Sequence, residues 1–399
     1  MIIILTILLN IKEDILLNKG FVKDKISRIM RPIKLYYPLD LLRKSRFFKY
    51  RFQYPYLKLL YKKGKVQNNK NKFDDHNKFT RLVNSLKIGI SYRATGQWEE
   101  IYNNNQILAV SLIKKNDYVK LKKILSNPLS NDLMYGFDNL SKSLQSIFRL
   151  ETFFECSLTA DHFLALAEYS GVINYQSPES LVSIFRKSIN LKKLINKTIL
   201  QIFKKDIIFP NIYPGERGII TDFGIASLRT PSAIYQAMQV SKLGQNICEI
   251  GPGLGRTAYF SKLLGVKKYT LVDLPISSLT QSYYLINSLP NEKISFTGEP
   301  DLNEGIEFRL PDDFFKSNQN YDLVLNVDSI TEIDKEIAKD YLKEIIKRSK
   351  YFLSINHESN KFTVRSLVSE LKSFKLLSIH RSWIRPGYLE ELYEIEKNN

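Results

Sequence analysis

Beyond residue 244 the apolar positions change rhythm at regular intervals. Short apolar runs alternate with longer stretches in which apolar residues return every third or fourth position. The short runs, NICEI (246–250), KYTLVDL (268–274), ISFTG (294–298) or IEFRL (306–310), YDLVLNV (321–327) and KYFLSIN (350–356), read as strands. Between the first two, RTAYFSKLLG (256–265) reads as a helix closing on Gly265 as its C-cap. In DKEIAKDYLKEIIKRS (334–349), Ile337, Tyr341, Ile345 and Arg348 fall along one helical face, with Leu342 and Ile346 beside it. Such alternation predicts a mainly parallel, doubly wound α/β sheet. A helix over KFTVRSLVSELKSF (361–374) then leads into FKLLSIHRS (374–382) and LEELYEIEK (389–397), two strands joined by WIRPGY. The sheet is therefore expected to end in a hairpin, which a plain dinucleotide fold lacks.

Upstream the rhythm is helical. LVNSLKIGI, QWEEIY, ILAVSLI, YVKLKKIL, DHFLALAEYSGVI and LVSIFRKSINLKKLI all repeat apolar residues at three-to-four spacing, which makes 81–208 a mainly helical domain. Residues 209–243 form a connecting segment: FPNIYPGERGIITDFGIASLR (209–229) is rich in Gly and Pro, and a helix capped by Thr230, with Pro231 in its first position, runs to Gly244. Residues 1–80 stand apart as an arm and linker, with KKGKVQNNKNKFDDHNK (62–78) as the linker, and 244–399 is the expected ligand-binding domain.

A chain of 399 residues with 44% hydrophobic content is long enough for two domains with real cores. Cys156 and Cys248 lack a C-x-x-C spacing and are too few for a disulfide framework, which fits a reducing compartment. The net charge of +18 is uneven: residues 1–80 hold 19 of the 59 basic and 6 of the 41 acidic residues. Within that arm, KLYYPLDLLRKSRFFKYRFQYPYLKLLYKK (34–63) interleaves positive charge with Tyr and Phe, which suits an anionic membrane surface, a polyanionic glycan or single-stranded nucleic acid, although most such charge runs are simply solvated. The opening MIIILTILL is too short to span a bilayer, which takes about 20 residues. It also lacks the basic flank and cleavage site of a secretory signal, so the expected location is the cytoplasm, at most peripheral to the membrane.

The sharpest chemical signal is ICEIGPGLGRTAYF (247–260), in which a strand closes on Glu249 and glycines follow at 251, 253 and 255. Glycine lets the backbone turn sharply and approach a ligand closely, and the helix that follows presents free N–H groups. Gly253, Gly255 and Ala258 also satisfy the G-x-G-x-x-G/A dinucleotide pattern, so the loop alone leaves NAD and S-adenosylmethionine open. Glu249 would repel a pyrophosphate and suits a cationic ligand. Asp273 ends the second strand 22 residues after Gly251, where an acid accepts hydrogen bonds from ribose hydroxyls. Together with the terminal hairpin, these residues favour the methyl donor over an NAD-dependent oxidoreductase.

EIGPGLGRTAYFSKLLGVKKYTLVDLP, YDLVLNVDSITEI, YFLSINHESN and SWIRPGYLEELYEI together resemble a bacterial family of sugar O-methyltransferases, within the class I S-adenosylmethionine-dependent superfamily. The resemblance covers about residues 150–399. It implies a seven-stranded sheet with a C-terminal antiparallel hairpin, preceded by a mainly helical domain. It implies methylation of a sugar hydroxyl during synthesis of surface polysaccharide or another glycoconjugate. Carried onto this chain, it gives Glu249, Gly251, Gly253 and Gly255 around the methionine end of the donor, Asp273 on the ribose and Leu274 near the adenine.

Removing the hydroxyl's proton calls for a base at the C-terminal strand ends. His357, directly after the fifth strand, is the first candidate and Asp328, ending the fourth, is the second; Glu332 and Glu358 rank lower. Asn326 is expected in the cofactor cleft. Tyr213, Arg217 and Arg229 are candidates for a lid and Trp383 for a sugar-stacking ring or a core residue. His76, His162, His357 and His380 show no paired ligand spacing, so no metal site is expected. A nucleic-acid partner is not expected either: amino-directed base methylation needs an Asn/Asp-Pro-Pro-Tyr/Phe platform after strand four, where this chain reads NVDSI. A non-catalytic S-adenosylmethionine-binding protein of a glycan assembly complex is the remaining alternative. Oligomeric state is not legible in the sequence.

Overall fold

The computed structural model describes residues 61–63, 76–92, 94–138, 140–142, 149–174, 190–385 and 387–396. The opening apolar run, the basic arm up to residue 60, residues 64–75 of the linker and most of LVSIFRKSIN lie outside the described residues. What is described belongs to one compact unit, Phe52–Asn399.

In chain order, β1 (Tyr61–Lys63) precedes α1 (His76–Gly89), α2 (Gln97–Ile101), α3 (Ile107–Lys115) and α4 (Tyr118–Ser126). The helices α5 (Arg149–Tyr169) and α6 (Leu191–Phe203) follow, then β2 (Arg217–Thr221), β3 (Gly224–Ala226) and α7 (Thr230–Leu243). The alternating part comprises β4 (Asn246–Ile250), α8 (Arg256–Leu263), β5 (Lys268–Val272), α9 (Pro275–Ser288), β6 (Ile294–Ser295), β7 (Gly305–Arg309) and α10 (Pro311–Lys316). It continues with β8 (Tyr321–Val327), α11 (Lys335–Arg348), β9 (Ser349–His357), α12 (Val364–Val368), β10 (Phe374–Arg381) and β11 (Tyr388–Ile395). Among the described residues no helix is long and apolar enough to cross a membrane.

The main sheet has the order β10-β11-β9-β8-β4-β5-β7-β6. Strands β4 to β9 run parallel, and β11 inserts antiparallel between β9 and β10. This is a class I Rossmann-like α/β fold closed by an antiparallel hairpin. The seven strands implied by the resemblance become eight, because ISFTG and IEFRL both pair: β6 adds two residues at the edge of β7. A separate small sheet joins β1, β2 and β3, all antiparallel.

Parity along β4 explains the two layers. Cys248 and Ile250 enter a core with Val324, Phe352, Tyr341, Leu342 and Ile345, so α11 covers that face. The predicted face of α11 is the buried one, and Arg348 is buried with it, bonding the carbonyl of Phe315 at 3.1 Å. Each large apolar side chain enclosed there stabilises by roughly 1.5–3 kcal/mol. Ile247 and Glu249 face the opposite layer, where α7 and α8 pack against each other. The helix expected over 361–374 is short: Thr363 caps five residues, and the chain is extended again from Phe374. Helix α7 begins at its predicted cap, Thr230, so the cap position falls one residue earlier, on Arg229.

The N-terminal helices are fastened to the sheet by ionic and polar contacts. Arg81 on α1 clamps both oxygens of Glu299 at 2.7 Å and reaches the carbonyl of Ile294 at 3.1 Å. At the opposite edge, β10 leaves Leu376, Leu377 and Ile379 exposed.

Candidate functional site

Strand β4 ends under the glycine loop, and all three predicted glycines are left-handed: φ is 67° at Gly251, 60° at Gly253 and 84° at Gly255. A Cβ on Gly251 would lie 2.3 Å from Ser329, so glycine is required there for close passage as well as for backbone conformation. A Cβ on Gly253 would meet only the carbonyl of Phe137, at 3.8 Å. The loop thus turns a side-chain-free face toward the Phe137 carbonyl.

Two acids flank this loop. Glu249 is 2% exposed and accepts a 2.7 Å hydrogen bond from the hydroxyl of Tyr269. Burial, reinforced by Asp273, pushes its carboxyl up to about 7 against the pull of that hydroxyl. Asp273 follows β5 and is half-buried; its Oδ1 accepts from the Leu274 amide at 2.7 Å and its Oδ2 from Gln281 at 2.6 Å. Burial raises it to about 7 as well. Among the described residues the partners of the two carboxylates are neutral, the Tyr269 hydroxyl for Glu249 and the Gln281 and Leu274 amides for Asp273, and no ion pair compensates either. Leu274 caps α9, half-buried beside Asp273.

Asn326 is fully buried beneath the loop and holds it in place. Its amide donates to the carbonyl of Ile250 at 3.0 Å and to the Ser329 hydroxyl, and its oxygen accepts from Asn356 at 3.0 Å. Ser329 donates to the same Ile250 carbonyl at 2.9 Å. The sequence placed Asn326 on the cofactor; the structure places it under the floor of the cleft.

The ends of β8 and β9 bring the two candidate bases together. Asp328 adopts φ 61°, uncommon outside glycine, and its Oδ2 accepts from Arg385 at 2.5 Å. His357 Nε2 lies 4.0 Å from Asp328 Oδ1, which among the described residues has no hydrogen-bond partner. The Ser359 amide donates to His357 Nδ1 at 3.3 Å. A neutral ring bonded in this way carries its proton on Nε2, facing Asp328. The Arg385 guanidinium stacks 3.8 Å above the ring of Tyr388, which meets His357 edge-on at 5.5 Å. Glu332 joins the group: burial, then Asp328, raises its carboxyl to about 7, while the Trp98 indole donates to it at 3.1 Å. Trp98 is fixed there because Gly96, at φ 64°, passes too close to the Glu332 carbonyl to admit a Cβ.

Other candidates fall elsewhere. Glu358 is exposed and pairs with Arg365. His380 is exposed on β10, 3.7 Å from Glu390. Trp383 stacks on Tyr169 at 4.9 Å and meets Tyr235 at 4.6 Å, so it packs rather than faces a free ligand surface. Tyr213 is enclosed and stacks on Tyr283 at 5.9 Å, unlike a lid residue.

Sequence reasoning missed several residues that shape the site. Arg256 binds Asp138 and, at 2.9 Å, Glu216, over the entrance to the glycine loop. His162 lies close enough to Arg385 to feel its charge, and burial followed by that charge pushes its imidazole down to about 4. Trp98, Asp138, His162, Arg256 and Arg385 come from distant parts of the chain, so no local spacing announces them. The one available signal was Arg256 directly after the third glycine.

No family model matches the sequence, and no curated protein matches it. Among solved structures the chain is similar to magnesium protoporphyrin IX methyltransferase from Synechocystis PCC 6803 with bound SAM. That match has 12% identity and a TM-score of 0.33, and it covers 42% of this chain and 78% of that one. It is also similar to ribosomal protein L11 methylase from Lactobacillus delbrueckii subsp. bulgaricus, at 13% identity and TM-score 0.32, covering 43% of this chain and 81% of that one. At this level of likeness neither ligand nor substrate transfers to the present chain.

Proposed function

We propose that the protein is an S-adenosylmethionine-dependent methyltransferase that acts on a sugar hydroxyl in glycoconjugate or surface polysaccharide synthesis. The observation that carries the donor assignment is the pair of uncompensated carboxylates, Glu249 and Asp273, beside an open glycine loop. Buried acids without a cation are costly to ionise and are relieved by a ligand that brings positive charge. S-adenosylmethionine brings a sulfonium and an ammonium, whereas a dinucleotide brings a pyrophosphate that these acids would repel. Asp273 also offers carboxylate oxygens to the ribose hydroxyls, which only donate to it.

When bound, the donor supplies an electrophilic methyl group, so the chain has to align the acceptor oxygen and remove its proton. Asp328 and His357 are the groups for that step. With Nε2 already protonated, His357 supports the neighbouring carboxylate, and Asp328, whose side chain is 24% exposed, takes the hydroxyl proton. The sugar assignment rests on the resemblance and on a polar, arginine-bearing acceptor side.

Isothermal titration of the purified chain with S-adenosylhomocysteine, beside NADH, tests the reading. Saturable binding of S-adenosylhomocysteine alone is expected; binding of NADH alone would return the loop to a dehydrogenase.

A further inference from the structure

We propose that Arg229 holds an anionic group of the acceptor, carboxylate or phosphate, so that the sugar methylated is an acidic one; this rests on the methyltransferase reading above. The arginines around the cleft differ in how far their charge is satisfied. Arg256 bridges Asp138 and Glu216, Arg217 pairs with Glu155 at 3.2 Å, and Arg385 pairs with Asp328 at 2.5 Å. For Arg229 the one carboxylate in ion-pair range among the described residues is Asp138 at 4.0 Å, and that group is already engaged by Arg256.

The surroundings of Arg229 make an added anion favourable. Burial, then the positive charges of Arg385 and Arg256, pull its pKa down against Asp138 and Asp328. Yet solvent reaches 45% of its side chain. A group crowded by protein but open to solvent lines a cleft, and this one lines a cavity with Asp138, Glu216, Ser227 and Arg256. Its backbone is held by the turn leading into α7, where Thr230 N bonds Ser227 O at 3.0 Å and the two hydroxyls meet at 3.2 Å. A fixed guanidinium fork suits a planar or tetrahedral oxyanion.

Position selects the acceptor as the source of that anion. Arg229 lies 4.0 Å from Asp138, which Arg256 ties to the glycine-loop side, and the charges of Asp328 and Arg385 reach it from the other. An anion held there belongs to the molecule whose hydroxyl reaches Asp328. The donor's side of the cleft is provided with acids.

The full chain, saturated with S-adenosylhomocysteine, is titrated with D-glucose, D-glucuronate, UDP-glucose and UDP-glucuronate, as wild type and as Arg229→Gln. At least one anionic member is expected to bind tenfold or more tightly than its less charged counterpart. Arg229→Gln should erase that difference while leaving the affinity for S-adenosylhomocysteine unchanged, and Arg229→Lys should restore part of it. A preference carried by glucuronate identifies a carboxylate; one carried by UDP-glucose identifies a phosphate. The proposal fails if no anion is preferred or no sugar binds. It also fails if Arg229→Gln weakens S-adenosylhomocysteine itself, which would give Arg229 to the donor's carboxylate. Failure of the wild type to bind S-adenosylhomocysteine would instead defeat the methyltransferase reading.

Discussion

The two sides of the cleft handle negative charge in opposite ways. On the glycine-loop side, Glu249 and Asp273 are supported by neutral partners, Tyr269, Gln281 and the Leu274 amide. On the side formed by the ends of β8 and β9, Glu332 has the neutral Trp98 indole as partner, but Asp328 is tied to an arginine, and Asp138 and Glu216 share another near the entrance. The difference teaches what each side is ready to receive. Acids without a charged partner gain from an incoming cation, while on the side where acids are already paired an arginine is left over for an anion.

The most forceful way to break this contrast is Asp328→Asn. Loss of the proton acceptor should reduce turnover about 10²- to 10⁴-fold with the affinity for S-adenosylhomocysteine intact, and His357→Ala should cost less. Equal losses, or loss of donor affinity, would merge the two sides. Asn is the suitable replacement because it tolerates the left-handed backbone at 328.

Next in size is Asp273→Ala, expected to weaken S-adenosylhomocysteine about 100-fold by calorimetry, since charge-assisted bonds to both ribose hydroxyls would go. Unchanged affinity would remove Asp273 from the donor side.

Protons offer a gentler test. Free Glu249 and Asp273 ionise only near pH 7, and a ligand that needs them ionised must displace a proton below that point. The affinity for S-adenosylhomocysteine should therefore rise about tenfold per group between pH 6 and pH 8. The same raised values affect stability. Their contribution to the free protein is full below the ordinary carboxylate range and is lost as pH rises through 7. Glu249→Gln should accordingly raise the melting temperature at pH 8 and leave it nearly unchanged at pH 4.

A test on stability rather than binding separates two glycines. Gly251→Ala forces a Cβ onto Ser329, whose hydroxyl is committed to the Ile250 carbonyl, and should cost about 3 kcal/mol in thermal or denaturant unfolding. Gly253→Ala has space and should cost only the left-handed backbone penalty, about 1 kcal/mol.

Legibility followed sequence distance. The strands, the glycine loop, Glu249 and Asp273 lie within one βαβ unit, where periodicity and spacing carry the information. The edge strand β6 was ambiguous because two short apolar runs competed for one place and both were used. The helix after β9 was overextended: it ends at Val368, and the pairing of Phe374 with Ile395 draws the chain into a strand. The other side of the cleft combines Trp98, His162, Arg229, Asp328, His357 and Arg385, and no local pattern can join residues so far apart. Asn326 was placed on the right strand end, but its depth depends on Ser329 and Asn356 closing around it.

The outermost strand, β10, has a further consequence for handling the protein in solution. It is eight residues long, with Leu376, Leu377 and Ile379 exposed and one side unpaired among the described strands. Such an edge is a template for adding a strand from another molecule. Lys375 and Arg381 flank the apolar stretch; Lys375 is paired with Glu394 and Glu396, so like-to-like approach is opposed by Arg381 and by the net charge of +18. Added salt weakens that repulsion, because the Debye length shrinks from about 10 Å at 0.1 M to about 3 Å at 1 M. The protein is therefore best concentrated in dilute buffer, where its excess positive charge keeps this edge from adding a strand of a second copy.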